Sequence, residues 1–244
     1  MVRAASLSSA DTALEIGPGL GVLTRPLAEA AGSVVCIELD PTLARDLPRG
    51  LGFPANLTVI HADVLNLDLG EVVTEPYVVV ASLPYHIATP ILFKLLLGHP
   101  TPSRIVVMLQ EEVALRVVAA SGARTYLGVA VGTLATARLV QRVAPGSFFP
   151  VPKVRSAVVR LDVLRQPAVS IDSVTGFLEF LRAGFAQPRK QLHNSLGQGL
   201  GGRASEVQEL AANVGVDSRR RPGDVALEEW AQLYGAWRER GLAS

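Results

Sequence analysis

The chain has 244 residues, of which 49% are hydrophobic and 18% charged, a balance that excludes a disordered chain and calls for a packed core. The formal net charge of +1 excludes nothing about nucleic acid, because a basic footprint is local. One cysteine, Cys36, rules out an intramolecular disulfide, and no charged segment followed by an apolar run opens the chain as a signal peptide would. No uncharged apolar stretch approaches the roughly 20 residues that span a bilayer, so a cytoplasmic protein is expected.

In chain order, residues 12–16 (TALEI) read as a short buried strand that runs into the glycine loop Gly17-Pro18-Gly19-Leu20-Gly21. Residues 22–31 read as a helix stopped by Gly32, and Ser33 to Leu39 as a second apolar strand. Asp40-Pro41 is a helix start, Asp as N-cap and Pro in the first turn. Leu57–His61, Tyr77–Ala81 and Arg104–Leu109 supply three more strands, with a helix over Pro90–Leu97. Apolar strands alternating with helices predict a Rossmann-like α/β sheet, mostly parallel and covered on both faces. Ala135–Val143 and Val154–Leu164 are expected to add an antiparallel pair at its edge. Beyond Gln166-Pro167 helical spacing takes over, which predicts two domains, residues 1–165 and a small helical one over 166–244. Basic residues gather in that second part, at Arg182, Arg189, Lys190 and His193 and again at Arg219-Arg220-Arg221.

The glycine loop leaves backbone N–H groups open to a ligand, yet Val22 stands where a dinucleotide fingerprint needs its third glycine. A carboxylate just before the loop, Glu15, suits a ligand carrying an ammonium and a sulfonium rather than a pyrophosphate. Glu38 ends the second strand 17 positions after Gly21, where an acid meets ribose hydroxyls, and Asp63 follows the third strand, placed for an adenine amino group. Each acid taken singly is equally a helix cap. Three at successive strand ends of one sheet predict S-adenosylmethionine as cofactor, with Leu39 and Val64 beside those acids counted in the same binding set. The histidines and the cysteine show no ligand spacing, so no metal is expected.

The fourth strand enters Ser82-Leu83-Pro84-Tyr85. An exocyclic amine conjugated with its ring is a poor nucleophile. A site for it must accept its N–H bonds, allow the nitrogen to become pyramidal and hold it in line with the methyl group. The Ser82 hydroxyl and the Leu83 carbonyl can accept, Pro84 stiffens the turn, and Tyr85 offers a face for a base taken out of its helix.

These segments resemble the ribosomal RNA adenine N6,N6-dimethyltransferase family, specifically its enzymes acting on small-subunit rRNA. The likeness runs from about Leu14 to the C-terminus. It includes LEIGPGLGVLT, Glu38-Leu39-Asp40, His61-Ala62-Asp63, Leu83-Pro84-Tyr85 and Met108 to Ala114. It also includes Phe148-Phe149-Pro150-Val151-Pro152-Lys153-Val154 and a basic helix expected over Arg189 to Leu196. The resemblance implies two methyl transfers to each of two adjacent adenosines near the 3′ end of small-subunit rRNA, as part of ribosome biogenesis. It assigns Glu15, Gly17, Gly19, Gly21, Glu38, Leu39, Asp63, Val64 and Ser82 to the cofactor. Ser82, Leu83, Pro84, Tyr85 and Phe148 fall to the target base, and Lys153, Arg189 and Lys190 to RNA phosphates. It further implies a monomer that acts on rRNA or a precursor small subunit. Two departures stand out: Ser82 replaces the family's usual Asn, and none of the fourteen residues before Glu15 carries its Gly-Gln-Asn/His-Phe-Leu motif, so a weaker cover over the cofactor is expected. Two other readings are a large-subunit rRNA methyltransferase of the macrolide-resistance type and a weakly active small-subunit assembly factor.

Overall fold

A computed structural model describes residues 1–119, 124–148 and 151–241. Their contacts divide the chain into two compact units, Met1–Ala114 with Ala137–Val163, and Leu115–Thr136 with Leu164–Ser244. The division expected at residues 165/166 thus falls at Val163/Leu164, and the smaller unit also takes in Leu115–Thr136. That segment escaped the sequence reading because its helix over Tyr126–Leu134 is apolar on nearly every side and shows no periodic stripe.

The larger unit is built on strands β1 (Thr12–Ile16), β2 (Ser33–Glu38), β3 (Leu57–His61), β4 (Tyr77–Ser82), β5 (Arg104–Gln110), β6 (Ala135–Val143) and β7 (Ser156–Val163). They form one sheet in the order β3-β2-β1-β4-β5-β7-β6. β3, β2, β1, β4 and β5 are parallel to their neighbours, and β7 runs antiparallel to β5. The Val- and Ile-rich sequence of β2, the Val-rich β4 and the apolar β1 suit central strands buried on both faces, where β-branched side chains pack without rotamer loss. One face buries Ala13, Leu27, Val34, Cys36, Val78, Val80, Val106 and Val158 in a single cluster.

Helices α1 (Val2–Ala5), α2 (Thr24–Ala30), α3 (Pro41–Gly50), α4 (Ala88–Leu97) and the start of α5 (Glu111–Val117) belong to this unit. Asp40 caps α3 as expected, accepting from the Thr42 and Leu43 N–H groups. α2 starts at Thr24 rather than at residue 22, because Gly21 holds a left-handed φ of 81° and its N–H turns back to the Pro18 carbonyl. α2 ends at Ala30 with Ala31 extended, and Gly32 beyond it is required not as a cap but because a Cβ there would collide with the Ser9 carbonyl.

The smaller unit contains α6 (Tyr126–Leu134), α7 (Val174–Gly184), α8 (Leu192–Gly199), α9 (Ala204–Asn213) and α10 (Leu227–Glu239). Its centre is aromatic. Phe177 meets Tyr234 edge-on at 5.4 Å, and Phe185 stacks on Trp230 at 5.6 Å between ring centroids. Gly184 is required there, since a Cβ would run into the Trp230 ring.

Candidate active site

Strand order reverses between β1 and β4, whose successors β2 and β5 lie on opposite sides. At such a switch point the loops leaving the carboxyl ends diverge and open a crevice. The glycine loop leaves β1 and Ser82–Tyr85 leave β4, so two segments far apart in sequence become neighbours. A cleft of about 670 Å³ opens there, lined by Glu15, Gly17, Pro18, Val22, Ser82, Met108 and Phe148 among others. That volume lies within the range of small-molecule sites.

Gly17, Gly19 and Gly21 all have left-handed φ, at 67°, 55° and 81°, a path that side chains with a Cβ rarely follow. Glu38 fixes the loop from β2. Its Oε2 accepts the Gly19 N–H at 3.0 Å and its Oε1 accepts the Asp40 N–H at 3.0 Å. The carboxylate is therefore oriented and almost fully buried before any ligand arrives.

Glu15 lines the cleft yet is 1% exposed. Parallel register sets Cys36 of β2 beside it, and the Cys36 thiol donates to Glu15 Oε2 at 3.5 Å. Burial pushes the Glu15 carboxyl up to about 7, opposed by the Thr24 hydroxyl and the Cys36 thiol and reinforced by the Glu38 charge. The same burial, with Glu15 alongside, drives the Cys36 thiol upward, so it is an inert packing group rather than a nucleophile. A carboxyl held this far from water favours a cationic ligand, which fits the charge of adenosylmethionine.

Asp63 is half-buried at the end of β3, but its oxygens already accept the Leu65 N–H and the Asn66 side-chain amide, both at 2.9 Å. It shapes its own turn and keeps lone pairs for a ligand. Val64 packs inward at 5% exposed, whereas Leu39 stands out at 64%.

Ser82 is exposed at the tip of β4, Leu83 is buried and Pro84 exposed. The Leu83 N–H is held by the Met108 carbonyl of β5 at 3.3 Å. Tyr85 is half-buried, its hydroxyl 2.6 Å from Ser156 Oγ. Phe148 reaches the cleft, while Phe149 and Pro150 of the same motif lie outside the described residues.

Two features have no counterpart in the sequence reading. Met1, Val2 and Arg3, at the start of α1, also line the cleft, where only a weak cover was expected. The other end of α1 is held by the sheet: Arg160 Nη1 donates to the Ala4 carbonyl at 2.9 Å, and Arg104 Nη1 to the Ala5 carbonyl at 2.6 Å. Both arginines share Asp162, whose carboxyl they hold below its usual range.

Lys153 of the same motif is exposed. In the smaller unit, Arg189 and Lys190 are exposed in a turn, not on the basic helix expected. α8 starts only at Leu192 because Pro188 breaks the preceding chain and the Leu192 and His193 N–H groups pair with the Arg220 and Ser218 carbonyls. That pairing brings the two basic runs together. Among the described residues no helix is long and apolar enough to cross a membrane.

The family model described as ribosomal RNA adenine dimethylase matches residues 1–237. Ribosomal RNA small subunit methyltransferase A of Dehalococcoides mccartyi is 38% identical over 235 residues, 96% of this chain and 81% of that protein. The protein of the same name from Bacillus mycoides is 39% identical over 247 residues, 97% and 85% of the two chains. Among solved structures, a dimethyladenosine transferase from Plasmodium falciparum superposes with a TM-score of 0.82 at 24% identity, covering 98% of this chain and 94% of that one. The 23S rRNA methyltransferase ErmE follows at 0.75 and 28%, over 96% and 94%. The crevice wall takes in Glu15, Gly17, Ser82 and Phe148, whereas Glu38, Asp63 and Leu83–Tyr85 are not part of its lining. With that family model matched over residues 1–237, the chain belongs to the ribosomal RNA adenine dimethylase family.

Proposed function

We propose that the protein transfers methyl groups from adenosylmethionine to N6 of two adjacent adenosines near the 3′ end of small-subunit rRNA, as a cytoplasmic monomer acting during subunit assembly. One observation carries the chemistry: one cleft at the strand-order switch is lined both by Glu15 with Gly17 and Pro18 of the glycine loop and by Ser82 of the β4 turn. Relatives named for the small subunit are 38–39% identical across more than four fifths of their own length, against 28% for the 23S enzyme, which favours the small-subunit target.

Gly17, Gly19 and Gly21 would admit the cofactor's methionine end to the backbone, with Glu15 opposite its positive charge. Glu38 would take the ribose hydroxyls on its free lone pairs, Asp63 the adenine amine, and Leu39 with Val64 the flanking apolar surface. Bound there, the cofactor supplies a methyl group activated by its sulfonium. The chain's own task is placement. Ser82 Oγ and the Leu83 carbonyl accept the two N–H bonds of the target amine, drawing its nitrogen out of conjugation. Pro84 holds the turn, and Tyr85 with Phe148 stacks the extruded base. Lys153, Arg189 and Lys190 neutralise phosphates.

The test supplies labelled adenosylmethionine with undermethylated small subunits, naked rRNA or large subunits, and reads dimethyladenosine by mass spectrometry. Dimethyladenosine at the paired positions in small-subunit rRNA is expected. Label confined to large subunits overturns the proposal, and stable subunit binding with no label points instead to an assembly factor.

A further inference from the structure

We infer that Ser156 is a positioning residue for the reaction, holding Tyr85 in the orientation that receives the target base; this rests on the function proposed above. Ser156 is the first residue of β7, in register with Gln110 of β5, and is fully buried. Its hydroxyl meets the Tyr85 hydroxyl at 2.6 Å, a contact that joins residues 71 positions apart. Tyr85 itself sits on a turn and is half-buried. A tyrosine ring on a turn turns about two side-chain bonds, and a free face loses that freedom when a base stacks on it. Tying the hydroxyl to a buried strand residue removes the freedom during folding instead, and so leaves the stacking plane set before the base arrives.

The placement is specific to the hydroxyl. Stacking needs only the ring, and phenylalanine would supply it. A phenol at this position needs its polar atom satisfied once the ring is packed inward, and Ser156 satisfies it from a strand rather than from a loop. β7 is an interior strand, flanked by β5 and β6, so the anchor has the rigidity of the sheet. Ser156 does not touch the reacting atoms; it acts through Tyr85.

A double-mutant cycle separates positioning from plain structural support. Ser156→Ala and Tyr85→Phe each leave one hydroxyl buried without its partner, while the double variant removes both polar atoms together. Removing both partners is often nearly neutral for stability, whereas orphaning one is not. Thermal melting should therefore drop in each single variant and recover in the double. Turnover should fall about ten-fold in each single variant, the scale of one hydrogen bond, and stay equally low in the double. Adenosylmethionine affinity should stay at the wild-type level in all three. With 2-aminopurine at the target position, the base should be less quenched in the double variant than in wild type. A double variant that recovers wild-type turnover along with its melting temperature overturns the positioning role. Additive losses in turnover overturn it as well, since two groups acting through one bond cannot add. The wild-type control distinguishes the other failure: a wild-type protein that leaves small-subunit rRNA unmodified overturns the functional reading, and the role of Ser156 with it.

Discussion

Glu15 shows how a binding residue costs the empty protein stability. Its carboxyl titrates at about 7 in the folded state against 4.5 for an ordinary glutamate. Above pH 7 the folded chain must hold a buried charge that the unfolded chain holds in water. Below about pH 4.5 both states are protonated and the penalty vanishes. Between those values stability falls as pH rises, by about 3 kcal/mol in all. Glu15→Gln should therefore melt higher than wild type at pH 8 without cofactor and match it near pH 4.5, while binding adenosylmethionine more weakly at pH 8. Equal melting curves at both pH values would show that the carboxyl is not destabilising. Ser82 makes a second case. A serine hydroxyl stands closer to the backbone than the family's asparagine amide oxygen, so Ser82→Asn should raise turnover about two- to ten-fold, the value of one better-placed hydrogen bond. An unchanged turnover would mean that backbone or solvent already supplies the missing reach.

At the scale of elements, α1 is the part whose role depends most on its fastening. It has four residues, too few to hold a helix in isolation, and its last carbonyls are taken by Arg104 and Arg160 from β5 and β7. Arg160→Met keeps the methylene packing and removes the donor to Ala4. The expected result is faster adenosylmethionine dissociation by stopped flow, about three- to ten-fold, as Met1–Arg3 leave the cleft wall. An unaltered dissociation rate would show that α1 does not retain the ligand. Nothing local announces this element, because its partners lie 99 and 156 residues downstream. The strands and the helices between β1 and β5, by contrast, were legible, since β-branched runs and the Asp40-Pro41 cap are short-range signals. The placement of Glu15, Glu38 and Asp63 at or just beyond the ends of β1, β2 and β3 was legible for the same reason. The Ser156–Tyr85 contact and the Cys36 thiol on Glu15 depend on strand register, which no single segment encodes. The basic helix, expected from the resemblance, starts later than Arg189 because Pro188 and the pairing with Ser218 and Arg220 decided the backbone.

For the molecule as a whole, a net charge of +1 leaves little general attraction for RNA, so binding has to come from where the charges are put. In the smaller unit, the Leu192 N–H donates to the Arg220 carbonyl at 2.7 Å and the His193 N–H to the Ser218 carbonyl at 3.1 Å. Exposed Arg189 and Lys190 are thereby brought beside the 219–221 run. Within that run Arg219 is paired with Asp217 and Arg220 with Glu229, both of which dilute its charge, whereas no ion pair among the described residues engages Arg189 or Lys190. These two should then carry the phosphate contacts. Replacing both with glutamine should weaken binding to small-subunit rRNA at low salt and reduce the slope of log affinity against log salt by about 1.5 to 2, close to one unit per lost phosphate contact. Adenosylmethionine affinity and melting temperature should stay unchanged, because both side chains are exposed. A lower affinity with an unchanged salt slope would mean that the residues shape the turn rather than meet phosphates. A wild-type slope and affinity together would move the RNA footprint to another face of the protein.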